Sequence, residues 1–241
     1  MSSSFFKLRD ALIVLAVIGI LGAIIIPAIT VIDTPTGYAP KSSAMNNLGQ
    51  IAKSNLLYSF SGNNTRALTV QSGDTAHEAA YILARDVQFN DAVVWFIKSD
   101  PRLEGKTPPK TVLLGDPSKG VPNPEFAKLP LSVVFVANLP SNAPHTTTPI
   151  AWTRDLQSDG TWAHDSPWKG EGGHIAYLDG HVEWYDKVTL KTDNQSGYFN
   201  GLVKYGTTIP TTNIREALPP GAVILSAEPK PLASKPPATG N

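Results

Sequence analysis

Apolar residues are spread very unevenly along this chain. Positions 11–32 read ALIVLAVIGILGAIIIPAITVI, 22 residues without a charge. As a helix they would span roughly 33 Å, about one hydrocarbon core. A cleaved secretory signal has a shorter apolar run, closed by a small-residue cleavage site. Ile32-Asp33-Thr34-Pro35 does not supply that site, so the run predicts a retained single span. Lys7 and Arg9 precede it and only Asp33 follows closely, which places the N-terminus in the cytoplasm and the rest outside. Asp10 stands at the edge of the run and Pro27 within it. On composition alone, Asp10 marks the membrane boundary and Pro27 is a proline of the kind that lipid-embedded helices tolerate.

Beyond the run the pattern shortens. Pro35, Gly37 and Pro40 predict a helix-breaking linker over 33–40. Ser42 or Ser43 is placed to cap a second helix reaching Phe60, with Met45, Leu48, Ala52, Leu56 and Ser59 on one stripe against a sheet. Thr75-Ala76-His77-Glu78 fits a capping box that opens a helix through Arg85, with Ala79, Ile82 and Leu83 buried and His77 solvated in the first turn. Strand patterns follow at 92–97, 111–114, 131–137 and 149–153. A hairpin closes the series, with 174–178 and 181–185 flanking Asp179-Gly180. A two-residue turn there pairs Tyr177 with Val182 and Ile175 with Trp184, so that Ile175, Tyr177, Val182 and Trp184 share one apolar face. The same geometry puts His174, His181 and Glu183 on the other. Positions 227–241 are proline-rich and predict an extended tail.

The expected fold class is therefore α+β: a long N-terminal transmembrane helix, then a second amphipathic helix packed on an antiparallel β-sheet head. The boundaries are a leader at 1–10, the span at 11–32, the linker at 33–40, an extracytoplasmic head at 41–226 and the tail at 227–241. With 20 basic and 20 acidic residues, no net charge draws the chain to nucleic acid. The absence of cysteine excludes disulfides and thiolate metal sites. The 21 prolines and 19 glycines predict many loops and few long helices in the second half.

The order of residues from Phe6 to Leu21, FKLRDALIVLAVIGIL, resembles the N-terminal signature of type IV prepilins and type II secretion pseudopilins. In that family an aromatic residue begins the mature chain, an acidic residue follows four positions later, and a proline lies near the far end of the apolar segment. Phe6, Asp10 and Pro27 match those three places. Phe5 occupies the position where the family has the glycine preceding the cleavage site, between Phe5 and Phe6, and Asp10 stands where glutamate is usual. Met45-Asn46-Asn47-Leu48-Gly49-Gln50 and Gly173-His174-Ile175-Ala176-Tyr177-Leu178-Asp179-Gly180 look like two further segments of a bacterial prepilin subfamily with a histidine–nine residues–Asp-Gly motif. Thr148–Arg154 also resembles a strand of these proteins. Met45 replaces the subfamily's cysteine and Lys169 replaces its histidine. The resemblance implies a structural subunit and no enzyme. It also implies partnership with copies of itself, the inner membrane, prepilin peptidase and a pilus or secretion assembly platform. Phe6 and Asp10 would set registry between subunits, and Pro27 would permit a local bend. The runner-up is a permanently anchored periplasmic head that binds a ligand such as a glycan.

Chemistry has few places to reside. Asp155, Asp159 and Asp165 are oxygen donors of the kind calcium takes, although their spacing matches no calcium loop and Ser158-Asp159-Gly160 is an ordinary turn sequence. No other cofactor is expected. His174, His181 and Glu183 share a hairpin face in the expected register, but the two histidines are too far apart there for one zinc ion. No Gly-x-Ser-x-Gly, His-Glu-x-x-His or phosphate-binding loop occurs.

Overall fold

In a computed structural model, residues 38–61, 68–71, 73–189 and 201–230 are described. The chain divides into two units, Met1–Ala39 and Pro40–Asn241, and the second contains nearly everything below. The membrane span expected at 11–32, and with it Phe5, Phe6, Asp10 and Pro27, lies outside the described residues. Among those residues no helix is long and apolar enough to cross a membrane. The fold class is thereby corrected to α+β with a five-stranded antiparallel sheet and no membrane-spanning helix among the described residues.

Helix α1, Tyr38–Phe60, begins earlier than its sequence suggests. Pro40 falls in its first turn, where the missing N–H would have no intrahelical partner, so it does not break the helix. Ala44, Leu48, Ile51, Ala52 and Asn55 are buried at the spacing of one helix face. The expected stripe is therefore rotated: Met45 is 44% exposed and Leu56 half-buried, while Ala44 and Ile51 take the inner places. Helix α2, Ala76–Asp86, buries Ala79, Ala80, Leu83 and Ala84. Thr75 is its N-cap residue, but the side chain makes no capping bond. The hydroxyl instead faces His77 Nδ1 at 3.2 Å, and His77 Nε2 donates to the Leu129 carbonyl at 2.9 Å. That carbonyl can only accept, so Nε2 carries the proton and Nδ1 accepts from Thr75. His77 is 3% exposed and meets Phe126 edge-on, not solvated as its first-turn position suggested.

The short strands β1, Leu113–Leu114, and β2, Val121–Pro122, pair with each other and realise only the end of the 111–114 pattern. A short helix, α3, Pro124–Lys128, follows. No strand forms at 92–97. Asp91 accepts from the Val93 N–H at 2.9 Å and tightens the chain into a 3₁₀ turn, Val93–Trp95, that buries Trp95. The main sheet joins β3, Val133–Ala137; β4, Pro149–Thr153; β5, Gly173–Tyr177; β6, Val182–Tyr185; and β9, Val223–Leu225. Their order is β6-β5-β4-β3-β9, antiparallel throughout. β7, Leu202–Val203, and β8, Pro210–Thr211, form a separate small ladder. The head extends past 226: the Ala227 carbonyl accepts from the Leu131 N–H at 2.8 Å, and Glu228 pairs with Arg102.

The β5–β6 hairpin forms, in a different register. Pairs run Gly173 with Tyr185, His174 with Trp184, Ile175 with Glu183 and Ala176 with Val182. A two-residue turn of the expected kind needs positive φ at Asp179, and Asp179 is not among the residues that have it. The loop takes three residues instead, Leu178-Asp179-Gly180. Tyr177 accepts from the Gly180 N–H and donates to the His181 carbonyl, and Gly180 supplies φ +90° at the bulge. One added loop residue flips the whole of β6 relative to β5. Val182 and Trp184 consequently join His174 and Ala176 on the face that carries α1: Gly49 lies against Val182, and Lys41 Nζ sits 4.0 Å from the Trp184 ring centre. Ile175, Tyr177, Glu183 and Tyr185 share the opposite face.

Candidate functional site

The opposite face of the hairpin opens into a cleft of about 350 Å³, closed on its far side by residues of the β7–β8 ladder and its loop, Val203, Thr207 and Thr208. Its floor is a chain of hydroxyls. Tyr185 OH donates to Glu183 Oε2, so the Tyr177 OH, 2.7 Å away, donates to Tyr185. Burial is the first cause that pushes both phenols above their ordinary pKa, and both stay protonated at neutral pH. They serve as donors, not as bases. His181 stacks flat on Tyr177, with ring centres 4.3 Å apart and planes within 7°. Its Nδ1 lies 2.5 Å from Asp179 Oδ1. A carboxylate accepts, so Nδ1 carries the proton and Nε2 is left for the cleft.

On the other face, His174 lies between Trp184 at 4.9 Å and Trp168 at 6.1 Å, both edge-on. Its Nδ1 is buried without a hydrogen-bond partner among the described residues. Burial, reinforced by Lys41, lowers its pKa to about 4. His174 therefore faces away from Glu183, and His181 stands at the turn. The three groups considered for zinc are not gathered, and among the described residues no cluster of three or more metal-binding side chains occurs.

A second set of charges lies at the end of β4. Arg154 is 1% exposed and grips the equally buried Asp100 through Nε and Nη2, at 2.9 and 2.5 Å. Asp100 also accepts from Ser132 Oγ at 2.7 Å and from the Arg102 N–H. Asp155 is shared by Arg154 and Arg102, while Asp165 accepts from Arg102 at 2.8 Å, the first cause of its lowered pKa. Asp155 and Asp165, two of the three calcium candidates, are thus brought together by guanidinium groups. Asp159 is apart from them and accepts from the Thr161 hydroxyl and N–H at 2.7 and 3.0 Å in a local turn. A divalent ion at Asp155 and Asp165 would have to displace two arginines.

Of the hairpin residues singled out from sequence, Asp179 and Gly180 form the turn, Ile175 and Tyr177 share a face, and Val182 and Trp184 lie on the other. Sequence reasoning does not reach Asp100, Arg102 or Tyr185. A signal for Arg154 is present, since it follows the apolar strand Pro149–Thr153, where a charge demands a partner. Nothing in the sequence points to Asp100 as that partner.

His174 makes stability pH-dependent with a definite sign. The unfolded chain takes up its proton near pH 6.5, whereas the folded chain resists until about pH 4. The contribution is complete above pH 6.5 and is lost as pH falls through that window, roughly 3 kcal/mol in all. His77, also lowered chiefly by burial, acts in the same direction. Urea denaturation of His174→Phe is expected to show a shallower loss of stability than the parent between pH 7 and pH 4. Parallel curves would refute this assignment.

No protein-family model, no curated protein and no solved structure matches the chain. The described residues define an α+β head: a five-stranded antiparallel sheet carrying α1 on one face and an open, hydroxyl-lined cleft on the other.

Proposed function

We propose that this protein is a structural subunit of a type IV pilus-like or pseudopilus filament, held at the inner membrane by its apolar N-terminal segment until assembly. The observation that carries the reading is the order of features in the chain. Phe6 and Asp10 precede 22 uncharged residues containing Pro27. A few residues later comes α1, laid along an antiparallel sheet by Leu48, Ile51 and Ala52. An uncharged segment of that length favours the bilayer, and a subunit that leaves the bilayer must bury the same surface against copies of itself.

The test is the N-terminal residue of the protein isolated from cells, read by intact mass and peptide mapping. A chain that begins at Phe6 is the expected result, with a methylated amine as a further mark of prepilin processing. A chain that begins at Met1 or Ser2 would overturn processing between Phe5 and Phe6 and favour the permanently anchored head.

A further inference from the structure

We infer that the cleft between the β5–β6 hairpin and the β7–β8 ladder is a binding site for a neutral saccharide. The inference goes beyond the filament reading and does not depend on it.

Glu183 is exposed at the cleft and accepts from Tyr185, which in turn accepts from Tyr177. A carboxylate oriented by a buried phenol retains acceptor capacity for a ligand hydroxyl. Exposed Thr146, Thr147 and Thr208 add hydroxyls that both donate and accept. Among the described residues, no lysine or arginine lines the cleft. Phosphates, sulfates and carboxylates therefore find a carboxylate and no lysine or arginine, whereas a sugar hydroxyl finds both donors and acceptors.

His181 lies flat on Tyr177 and is pinned through Nδ1 by Asp179. The ring is fixed before any ligand arrives, so little ordering is left for binding to accomplish. Its outer surface is a flat aromatic patch beside the hydroxyls, and Nε2 is a further polar atom at the patch's edge. The pairing of a flat aromatic platform with hydroxyls and a carboxylate matches a pyranose ring, which has a face of C–H groups and a polar rim. The volume, about 350 Å³, is at the small end of ligand pockets and suits one or two sugar units better than a long chain.

The other cleft, about 310 Å³ beside Arg102, Arg154 and Arg215, makes a useful contrast. Asp155, Asp165 and Glu228 already hold Arg102, and Asp100 holds Arg154. Those carboxylates and guanidinium groups are matched to one another.

The experiment uses the full-length chain in a sugar-free zwitterionic detergent. Saturation-transfer difference NMR and calorimetry are run with methyl glucoside, methyl galactoside, methyl mannoside and N-acetylglucosamine, each to about 100 mM. Inorganic phosphate serves as the charged control. Saturable binding of at least one sugar is expected, weakened about tenfold by Glu183→Gln and by His181→Ala, with phosphate not binding. Thr208→Val, on an exposed loop, gives a weaker variant that should not disturb folding, and near-ultraviolet circular dichroism checks all three. Failure of every sugar to saturate, binding of phosphate alone, or unchanged affinity in folded variants would overturn the proposal. None of these outcomes bears on where the N-terminus is cut, so failure here and failure of the filament reading are distinguishable.

Discussion

Arg154→Met is expected to cost about 3–5 kcal/mol of stability, measured by urea or guanidinium denaturation of the full-length protein. The side chains of Arg154 and Asp100 are each 1% exposed, and the guanidinium holds both carboxylate oxygens. Methionine keeps much of the volume and removes the charge. Asp100 is then a buried carboxyl group without a cationic partner, with Ser132 and the Arg102 N–H as its remaining donors. The loss measures that uncompensated charge, not the intrinsic worth of the pair. A domain with a margin of about 5–15 kcal/mol comes close to unfolding under such a change. The double variant Arg154→Met with Asp100→Asn keeps the experiment decisive. The introduced amide oxygen can still accept from Ser132 or the Arg102 N–H but carries no charge, so more than half of the loss should be recovered. A single-variant loss below about 1 kcal/mol, or a double variant no better than the single, would refute this account.

Much of the head was legible because local pattern and tertiary packing agree there. Val133–Ala137 is apolar at every position, and the structure makes it an interior strand with neighbours on both sides. Pro149–Thr153 forms over the range its pattern indicates. What failed did so where one residue's side chain decides the local geometry. Asp91 draws Val93–Trp95 into a 3₁₀ turn although every residue of 92–97 is apolar. Asp179 keeps a negative φ, and that adds one residue to the hairpin loop and flips β6. Turn composition locates the hairpin correctly, yet a single residue of loop length exchanges the faces of Val182, Glu183 and Trp184. The cleft was invisible in sequence for the same reason. Glu183 and Tyr185 share a face in any register, but only the observed one brings Tyr177 to that face.

Partners distant in sequence form a separate class of difficulty. Asp100 and Arg154 are 54 positions apart, and Thr75 commits its hydroxyl to His77 because a carbonyl at Leu129 already holds the other ring nitrogen. In each case a short-range motif was readable, a charged strand end or a capping box. The long-range contact then determined what the motif did.

Under the filament reading proposed above, Asp10→Ala is expected to abolish filaments, a loss of roughly tenfold or more in surface material recovered by shearing and counted by electron microscopy, while the head remains folded. Asp10 is the acidic residue at the edge of 22 uncharged positions. In that reading a carboxylate there would be hydrated while the subunit is solitary, and its burial among packed subunits would cost several kcal/mol unless a cation met it. Processing after Phe5 would create that cation, the amine of Phe6 on a neighbouring subunit. Each subunit added would then bury one carboxylate and one amine together, and correct axial registry would be the only arrangement that leaves neither alone. Asp10→Glu, which retains the charge, should assemble. Asp10→Asn, which retains only the polar shape, should not. The head provides the internal control, since its buried tryptophans, Trp95, Trp152, Trp162 and Trp168, lie within Pro40–Asn241 and should give an unchanged near-ultraviolet spectrum. Normal filaments from Asp10→Ala would rule out the carboxylate–amine contact as the basis of assembly, even if the chain proves to begin at Phe6.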